Sequence, residues 1–205
     1  MKDYKELVEK YRLAAEQGDA DAQYELGSML ELGIGAEMSY IEAVKWYRLA
    51  AEQGDVTSQH SLGSMYDLGK GVERNYVEAV KWYRLAAEQG DATAQFDLGV
   101  MYFHGRGVMR SYGDTVHWWL LSAEQGNQDA QCYLGQMYCT GKGVAQSYEM
   151  AYFWFVLACA NADDTDSFEF ASSVRDRVAN KLTATQINRI QNEATTWQPK
   201  VNSTP

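Results

Sequence analysis

Apolar and polar positions repeat along this chain with a period of 36 residues. The ten residues from Trp46 to Asp55 occur again, unchanged, from Trp82 to Asp91. Glycines keep the same period at several places in the repeat, the first of which gives Gly18, Gly54, Gly90 and Gly126. A fixed period of 20–50 residues indicates stacked repeats, each of which contacts mainly its neighbours. Stacked repeats build extended surfaces, so the pattern favours binding over catalysis.

The first apolar stretch of each repeat predicts a helix with one buried face. Gln23, Leu26, Gly27 and Leu30 lie at i, i+3, i+4 and i+7, which is the spacing of one helical face. A glycine inside a helix costs about 1 kcal/mol relative to alanine. Because the glycine at position 27 recurs in the next three repeats, we expect it to permit a close approach between two helices.

The second apolar stretch predicts a second helix, so that each repeat is an αα-hairpin. Its stripe in the first full repeat consists of Ala43, Trp46, Tyr47 and Ala50. The tryptophan position is predicted to be core, and it recurs as Trp82, Trp118 and Trp154. A Gly-x-Gly pair separates the two helices and is predicted to end the first one in a tight turn.

Short polar side chains stand where each helix should begin. We expect the first helices to be capped by Asp19, Asp55, Asp91 and Asn127. The expected caps of the second helices are Ser39, Asn75, Ser111 and Ser147. Ser39 is followed three residues later by Glu42, which fits a capping box.

Both ends keep the frame of the repeat with changes. Residues 3–18 are predicted to be a second helix without its first, with Lys10 at the tryptophan position. In the last repeat Asp163 stands at the cap position and Phe170 at the buried leucine position. Arg177 and Ala179 replace the turn glycines there, so we expect that helix to run on to about residue 181.

A last helix is predicted to begin with a capping box formed by Thr183 and Gln186. One stripe of this helix carries Ile187, Ile190, Ala194 and Trp197. The fold class predicted from these patterns is an all-α, right-handed α-solenoid of helix-turn-helix repeats. A single domain, 1–198, would comprise a half-repeat (1–18), four full repeats (19–54, 55–90, 91–126, 127–162) and a capping repeat (163–198), with a flexible tail at 199–205.

Composition narrows the classes of partner. The chain has 28 acidic and 18 basic residues, a net charge of −10, so it should repel the phosphate backbone of nucleic acids. The longest apolar run, 150–160, is much shorter than the ~20 residues that a membrane-spanning helix needs. We therefore expect no nucleic acid partner and no membrane insertion.

Three cysteines bear on the compartment. Cys132 and Cys139 would lie about 10 Å apart along a straight helix, beyond the reach of a disulfide, so free thiols are expected. Cys159 is predicted to be buried at an alanine position of the repeat, whereas Cys132 and Cys139 are expected to face the binding groove that the family resemblance described below implies. Free thiols and a charged N-terminus favour the cytoplasm. The periplasm is the alternative if a signal peptide has been removed.

Two segments, 76–90 and 94–108, resemble the repeat of the Sel1-like repeat family, a relative of the tetratricopeptide repeats. The resemblance extends over four full units. It implies a bacterial, non-catalytic adaptor or scaffold that binds a partner peptide or helix in a concave groove lined by the first helices. By this resemblance the groove positions include Tyr24, Glu31, His60, Asp67, Phe96, Val100, Phe103 and His104, and, in the fourth repeat, Cys132, Gln136, Cys139 and Thr140.

Motifs for catalysis are missing from the sequence. The histidines at 60, 104 and 117 are scattered, and no cysteine and histidine spacing fits a metal site. No Gly-x-Gly pair continues to the third glycine of a dinucleotide-binding loop. We expect no enzyme activity, no cofactor and no metal. The resemblance leaves one alternative from another class, a periplasmic binder of a cell-wall or β-lactam-like ligand. The oligomeric state stays open.

Overall fold

The structure is a computed structural model and describes residues 4–162 and 165–200. The described residues form helices and no strands. In chain order these helices are α1 (Tyr4–Glu16), α2 (Ala20–Leu32), α3 (Tyr40–Glu52), α4 (Val56–Leu68), α5 (Tyr76–Glu88), α6 (Ala92–His104), α7 (Tyr112–Glu124), α8 (Gln128–Thr140), α9 (Tyr148–Ala160), α10 (Thr165–Ala179) and α11 (Ala184–Thr196). The all-α solenoid of helix hairpins that the sequence predicts is confirmed.

The helices belong to two compact units. One contains residues up to 94 together with 106–108, and the other contains 95–105 and the residues from 109 onward. Within the first unit α2 packs on α3 and α4 on α5, and α3 also packs on α4. Within the second unit α8 packs on both α7 and α9. Within each unit, consecutive helices therefore pack on one another, and the helices of a repeat form a hairpin.

Each hairpin is closed by a glycine of its first helix that lies against an aromatic ring of its second. A Cβ atom placed on Gly27 would lie 2.8 Å from the ring of Tyr47, and one on Gly135 would lie 2.9 Å from the ring of Phe155. Real Cβ atoms do not approach carbon so closely, because carbon contacts lie at about 3.5–4.0 Å. The glycine permits the close approach that the repeat predicts, and Tyr47 is 2% exposed as a result.

The caps form at the predicted residues. The Asp19 side chain accepts a hydrogen bond from the backbone N–H of Ala22, and Ser39 accepts one from Glu42. The predicted capping box at Ser39 is wrong, because the Ser39 N–H donates instead to the carbonyl of Leu30 on α2. The bond from cap to first helix recurs at Asn75, Ser111 and Ser147. It fixes the start of the second helix to the end of the first.

In the first, second and fourth full repeats, a buried glutamine connects the first helix to the helices on both sides. Gln131 is fully buried; its amide donates to the carbonyl of Ala123 on α7, and its oxygen accepts from Asn161 at the end of α9. In the first unit, Gln23 makes the corresponding bonds with Ala15 and Gln53. A buried amide is stable only when its polar atoms are bonded, so this position fixes the register between repeats.

The turn between the helices of a repeat packs on the preceding repeat. Gly71 has φ +70°, and a Cβ atom there would overlap the carbonyl of Tyr40, the first residue of α3. In the second unit Gly143 stands in the same relation to Tyr112 of α7. The second glycine of each pair therefore serves a contact between repeats as well as the turn.

The C-terminal helices depart from the predicted frame. Phe170, expected at a buried position, is 52% exposed, because α11 packs against α9 and leaves that side of α10 uncovered. The buried face of α10 consists of Ala171, Val174 and Val178. The helix ends at Ala179, two residues before the predicted end, although it is still two residues longer than the other helices. The predicted cap Asp163 lies outside the described residues.

The last helix agrees with its prediction. Thr183 and Gln186 form the capping box, and Ile190 of the predicted stripe is 2% exposed. Beyond α11, the backbone N–H of Lys200 donates to the carbonyl of Glu124, and its ammonium group pairs with the Glu124 carboxylate at 2.8 Å. The first residues of the predicted flexible tail are thus held against the end of α7.

Candidate partner-binding surface

The predicted groove residues lie around one aromatic position of each second helix. That position holds Tyr47, Tyr83, Trp119 and Phe155, all of them buried. Each ring packs on the glycine of its own hairpin, so its place is fixed by the backbone of the first helix. Side chains of the first helix one turn before and after that glycine then meet the edges of the ring. The groove positions are therefore built on a rigid aromatic floor.

In the first full repeat, Tyr24 and Glu31 flank Tyr47. The rings of Tyr24 and Tyr47 have centroids 5.9 Å apart, and the Tyr47 hydroxyl donates to the Glu31 carboxylate at 2.9 Å. Burial, and then the negative charge of Glu31, raise the pKa of Tyr47 well above its ordinary value. Burial also raises the pKa of Tyr24. Both groove side chains are half-buried, and Glu31 is already engaged within its own hairpin.

The second full repeat places His60 and Asp67 at the same two positions. The ring of His60 lies 5.5 Å from that of Tyr83 in a tilted arrangement. His60 and Asp67 are both half-buried. This surface is polar, and it resembles the first repeat more than the third.

The third full repeat and the first helix of the fourth carry a group of packed rings, here called the aromatic cluster: Phe96, Phe103, Trp119 and Tyr133. Phe96 and Phe103 stack on the two ends of Trp119, with centroid distances of 6.1 and 5.5 Å. Tyr133 of α8 lies 5.2 Å from Trp119 and 5.8 Å from Phe96. The Trp119 indole N–H donates to the Phe96 carbonyl at 3.1 Å, which fixes the central ring.

The aromatic cluster is partly open to solvent. Trp119 is 2% exposed, Phe96 and Phe103 are half-buried, and Tyr133 is 43% exposed. Phe96 and Phe103, which the resemblance names as groove positions, are thus partly packed rather than fully exposed. Stacked pairs of this kind gain about 0.5–1.5 kcal/mol beyond their buried area, so the cluster is preformed.

The remaining predicted residues lie at the edge of the aromatic cluster. Val100 is half-buried on α6, and the exposed ring of His104 meets Phe103 edge to face at 5.1 Å. Tyr112 lies 5.6 Å from Phe103 and has the cations of Arg110 and Lys142 over its ring. An apolar patch with polar and cationic groups at its edge is typical of interaction sites.

Tyr133 was not among the groove residues predicted from the sequence. The corresponding residues of the three preceding repeats are Glu25, Ser61 and Asp97, all polar. An aromatic residue at a position that is otherwise polar was the available signal. The contact between Tyr133 and Trp119 depends on the packing of α8 on α7, because Tyr133 belongs to the following repeat.

The predictions for two of the cysteines are wrong. Cys132 is 5% exposed and packs with Ala158 and Ala171, whereas Cys159 is only partly buried. The packing of α10 on α9 covers Cys132, and the repeat frame could not anticipate it. Burial raises the pKa of Cys132 to about 12 and also raises that of Cys139. All three thiols are free.

The described part of the chain has neither a cluster of metal-binding side chains nor a helix that could span a membrane. Residues 4–162 and 165–200 contain no group of three or more histidine, cysteine, aspartate or glutamate residues arranged to hold a metal ion. None of their helices is long and apolar enough to cross a membrane.

Comparison with known families gives the same repeat that the structure displays. The model of the Sel1 repeat family matches residues 11–19, 20–55, 56–91, 92–127 and 128–163. The chain belongs to the Sel1 repeat family. Sel1 repeat proteins act in general as non-catalytic scaffolds for protein interactions. A comparison with curated proteins finds no match.

Three solved structures illustrate the likeness. A Sel1 repeat protein from Oxalobacter formigenes is 31% identical with a TM-score of 0.81, over 97% of this chain and 81% of that one. A protective antigen of uropathogenic Escherichia coli with an SLR fold is 30% identical with a TM-score of 0.58; all of this Sel1 repeat chain is covered, but it spans only 54% of that protein. An immunity protein from Pseudomonas aeruginosa, at 16% identity and a TM-score of 0.51 over 100% and 82% of the chains, shares the fold alone.

Proposed function

We propose that this Sel1 repeat chain is a scaffold that binds a peptide or helix of a partner protein on the aromatic cluster of its third full repeat. The observation that supports this function is the preformed, partly exposed stack of Phe96, Phe103 and Tyr133 on the buried ring of Trp119. Aromatic side chains held rigid before binding are the residues that contribute most to binding energy at protein interfaces.

The rest of the predicted groove has a different character. Tyr24 and Glu31 are committed to Tyr47 through a ring contact and a hydrogen bond. Both side chains are already engaged within their own hairpin, so the proposal rests on the aromatic cluster. A partner that places one apolar side chain against Phe96 and Tyr133 satisfies this surface.

The test is affinity capture from the source cell, followed by mass spectrometry, with the parent chain and with Phe96→Ala and Phe103→Ala. We expect both substitutions to reduce the yield of a specific partner by roughly tenfold or more. Met109→Ala is the matched control, because Met109 is 89% exposed in the turn before α7 and lies outside the aromatic cluster.

Circular dichroism of each variant separates a loss of binding from a loss of folding. Since Phe96 and Phe103 are half-buried, we expect only modest destabilisation. Recovery of the same partner in equal yield by Phe96→Ala, Phe103→Ala and the parent chain would refute the proposal.

A further inference from the structure

A cavity of about 450 Å³ lies between the end of α8, the beginning of α9 and the uncovered side of α10. Three groove positions of the fourth repeat, Gln136, Cys139 and Thr140, form its wall on α8. Tyr148 closes one edge. The opposite wall consists of Phe170, Val174, Arg177 and Val178 on α10, with Lys181 just after the end of that helix. We call this cavity the C-terminal pocket.

The wall of the C-terminal pocket is mostly apolar and contains a large ring that the fold does not cover. Phe170 is 52% exposed, although Ala171 beside it is fully buried. Exposure of a phenylalanine ring at the wall of a concave site is unfavourable in water, because apolar surface is left uncovered. An apolar group placed in the C-terminal pocket would remove that cost.

The charges at the C-terminal pocket are both positive, in a chain whose net charge is −10. Arg177 and Lys181 line it, and no carboxylate does. Their side chains have no hydrogen-bond or ion-pair partner among residues 4–162 and 165–200. The positive charge of Arg177 also acts on the nearby Cys139 thiol, where it opposes the effect of burial.

The position of these cations follows from the sequence of the last repeat. Arg177 occupies the place at which the four full repeats have the first glycine of their turn. Because neither Arg177 nor Ala179 favours a left-handed turn, α10 continues where the other first helices end. The extra residues of α10 carry a charged side chain to the edge of the C-terminal pocket.

We propose that the C-terminal pocket binds an acidic and apolar segment of the partner protein, with a large apolar side chain against Phe170 and an aspartate or glutamate carboxylate beside Arg177 and Lys181. The inference rests on the proposed function and adds the chemistry of the partner to it. The volume of the C-terminal pocket, about 450 Å³, lies within the ~300–1,000 Å³ of ligand pockets. A pocket of this size suits the side chains of a short segment.

The experiment is a selection of random peptides displayed on phage against the full chain, followed by fluorescence anisotropy with one enriched peptide made synthetically. We expect the enriched sequences to combine a large apolar residue with an adjacent aspartate or glutamate. We expect Arg177→Gln combined with Lys181→Gln to weaken binding of the peptide roughly 5- to 10-fold, and higher salt to weaken binding to the parent chain.

Two matched controls accompany these variants. Lys10→Gln combined with Arg12→Gln removes the same charge from residues of α1, which do not line the C-terminal pocket, and should leave the affinity unchanged. Phe170→Ala should weaken binding about tenfold, whereas Phe168→Ala should have no effect, since Phe168 is 45% exposed on the same helix but lies outside the wall.

Four results would overturn the inference. The first is a set of enriched peptides without acidic residues. The second is equal affinity of the parent chain and the Arg177/Lys181 double variant for the enriched peptide. In both cases the chain still binds a peptide, so the proposed function is not refuted. The third is a dimer in analytical ultracentrifugation that the double variant abolishes, because the C-terminal pocket would then hold a second copy of the chain. Peptides that require only Phe96 and Phe103 would support the proposed function and overturn this inference.

Discussion

Replacement of Gly63 by valine tests the close approach on which every hairpin depends. A Cβ atom at position 63 would lie 2.6, 2.8 and 3.1 Å from the Cδ1, Cε1 and Cγ atoms of Tyr83. Carbon atoms in contact lie at about 3.5–4.0 Å, so the ring or the helix must move by about 1 Å. Tyr83 is 3% exposed and has no free space to move into.

The expected cost combines three effects. Overpacking of a dense core costs about 1–3 kcal/mol, and the γ-methyl groups of valine add to it. Alanine at the same position gains about 1 kcal/mol of helix propensity, which offsets part of the strain. We therefore expect about 3 kcal/mol of destabilisation for Gly63→Val and a smaller loss for Gly63→Ala. For a chain of this length, 3 kcal/mol corresponds to a fall in Tm of roughly 6–12 °C.

Gly113→Ala is the matched control for this series. Gly113 also lies inside a helix, but a Cβ atom there would meet only the Ser111 hydroxyl, at 3.9 Å. Helix propensity then acts alone, and Tm should rise by up to about 4 °C. The measurement is thermal unfolding followed by circular dichroism. The reasoning from close approach is refuted if the Tm of Gly63→Val lies within a degree or two of the parent. It is also refuted if Gly113→Ala lowers Tm as much as Gly63→Val does.

The other predictions concern single polar groups. Tyr47→Phe removes the hydrogen bond to Glu31 and should cost about 1–2 kcal/mol in urea unfolding at pH 7; no change would mean that the carboxylate is satisfied by water. Gln131→Leu should cost about 1–3 kcal/mol, and a neutral result would show that the buried amide is dispensable. Because the pKa of Cys132 is raised to about 12 in the fold from 9.0, this thiol stabilises the fold fully below pH 9 and progressively less as the pH rises towards 12. At pH 8 a thiol reagent should leave it unmodified until the protein unfolds and should react, slowly, with Cys139 and Cys159; rapid modification of all three in the native protein would contradict this.

The hairpins and their caps could be predicted because the information for them is local. Asp19 and Ser39 cap their helices at the predicted residues. The failure of the capping box at Ser39 has a different origin. The N–H that would receive the Glu42 side chain is already bonded to Leu30, and that bond exists only when the hairpin has closed. Helix starts follow from sequence, whereas the competition for each donor follows from packing.

The binding role of the candidate surface stays a prediction, and the packing of its side chains could not be predicted from the sequence. Phe96 and Phe103 belong to the surface, but their stacking on Trp119 depends on the distance between two helices, which the spacing of residues does not give. Phe170 was misplaced because the repeat frame assumes a partner helix along each side. At the end of a repeat array that partner is missing, so the frame predicts burial where the structure has an open wall.

The second glycine of each turn has a consequence for how chains of this kind change in length. Gly71 and Gly143 each fit against the first residue of a helix that begins 31 residues earlier, at Tyr40 and Tyr112. An insertion of one or two residues between the tyrosine and the glycine would shift the turn away from the start of that helix. A residue with a side chain would then lie against the backbone carbonyl in place of the glycine. A duplicated block of one whole repeat contains both a helix start of this kind and a turn glycine, so every existing contact is preserved. Gene duplication in units of 36 residues is therefore the route by which such an array can grow. Small insertions and deletions between a turn glycine and the helix start that it contacts would break that contact.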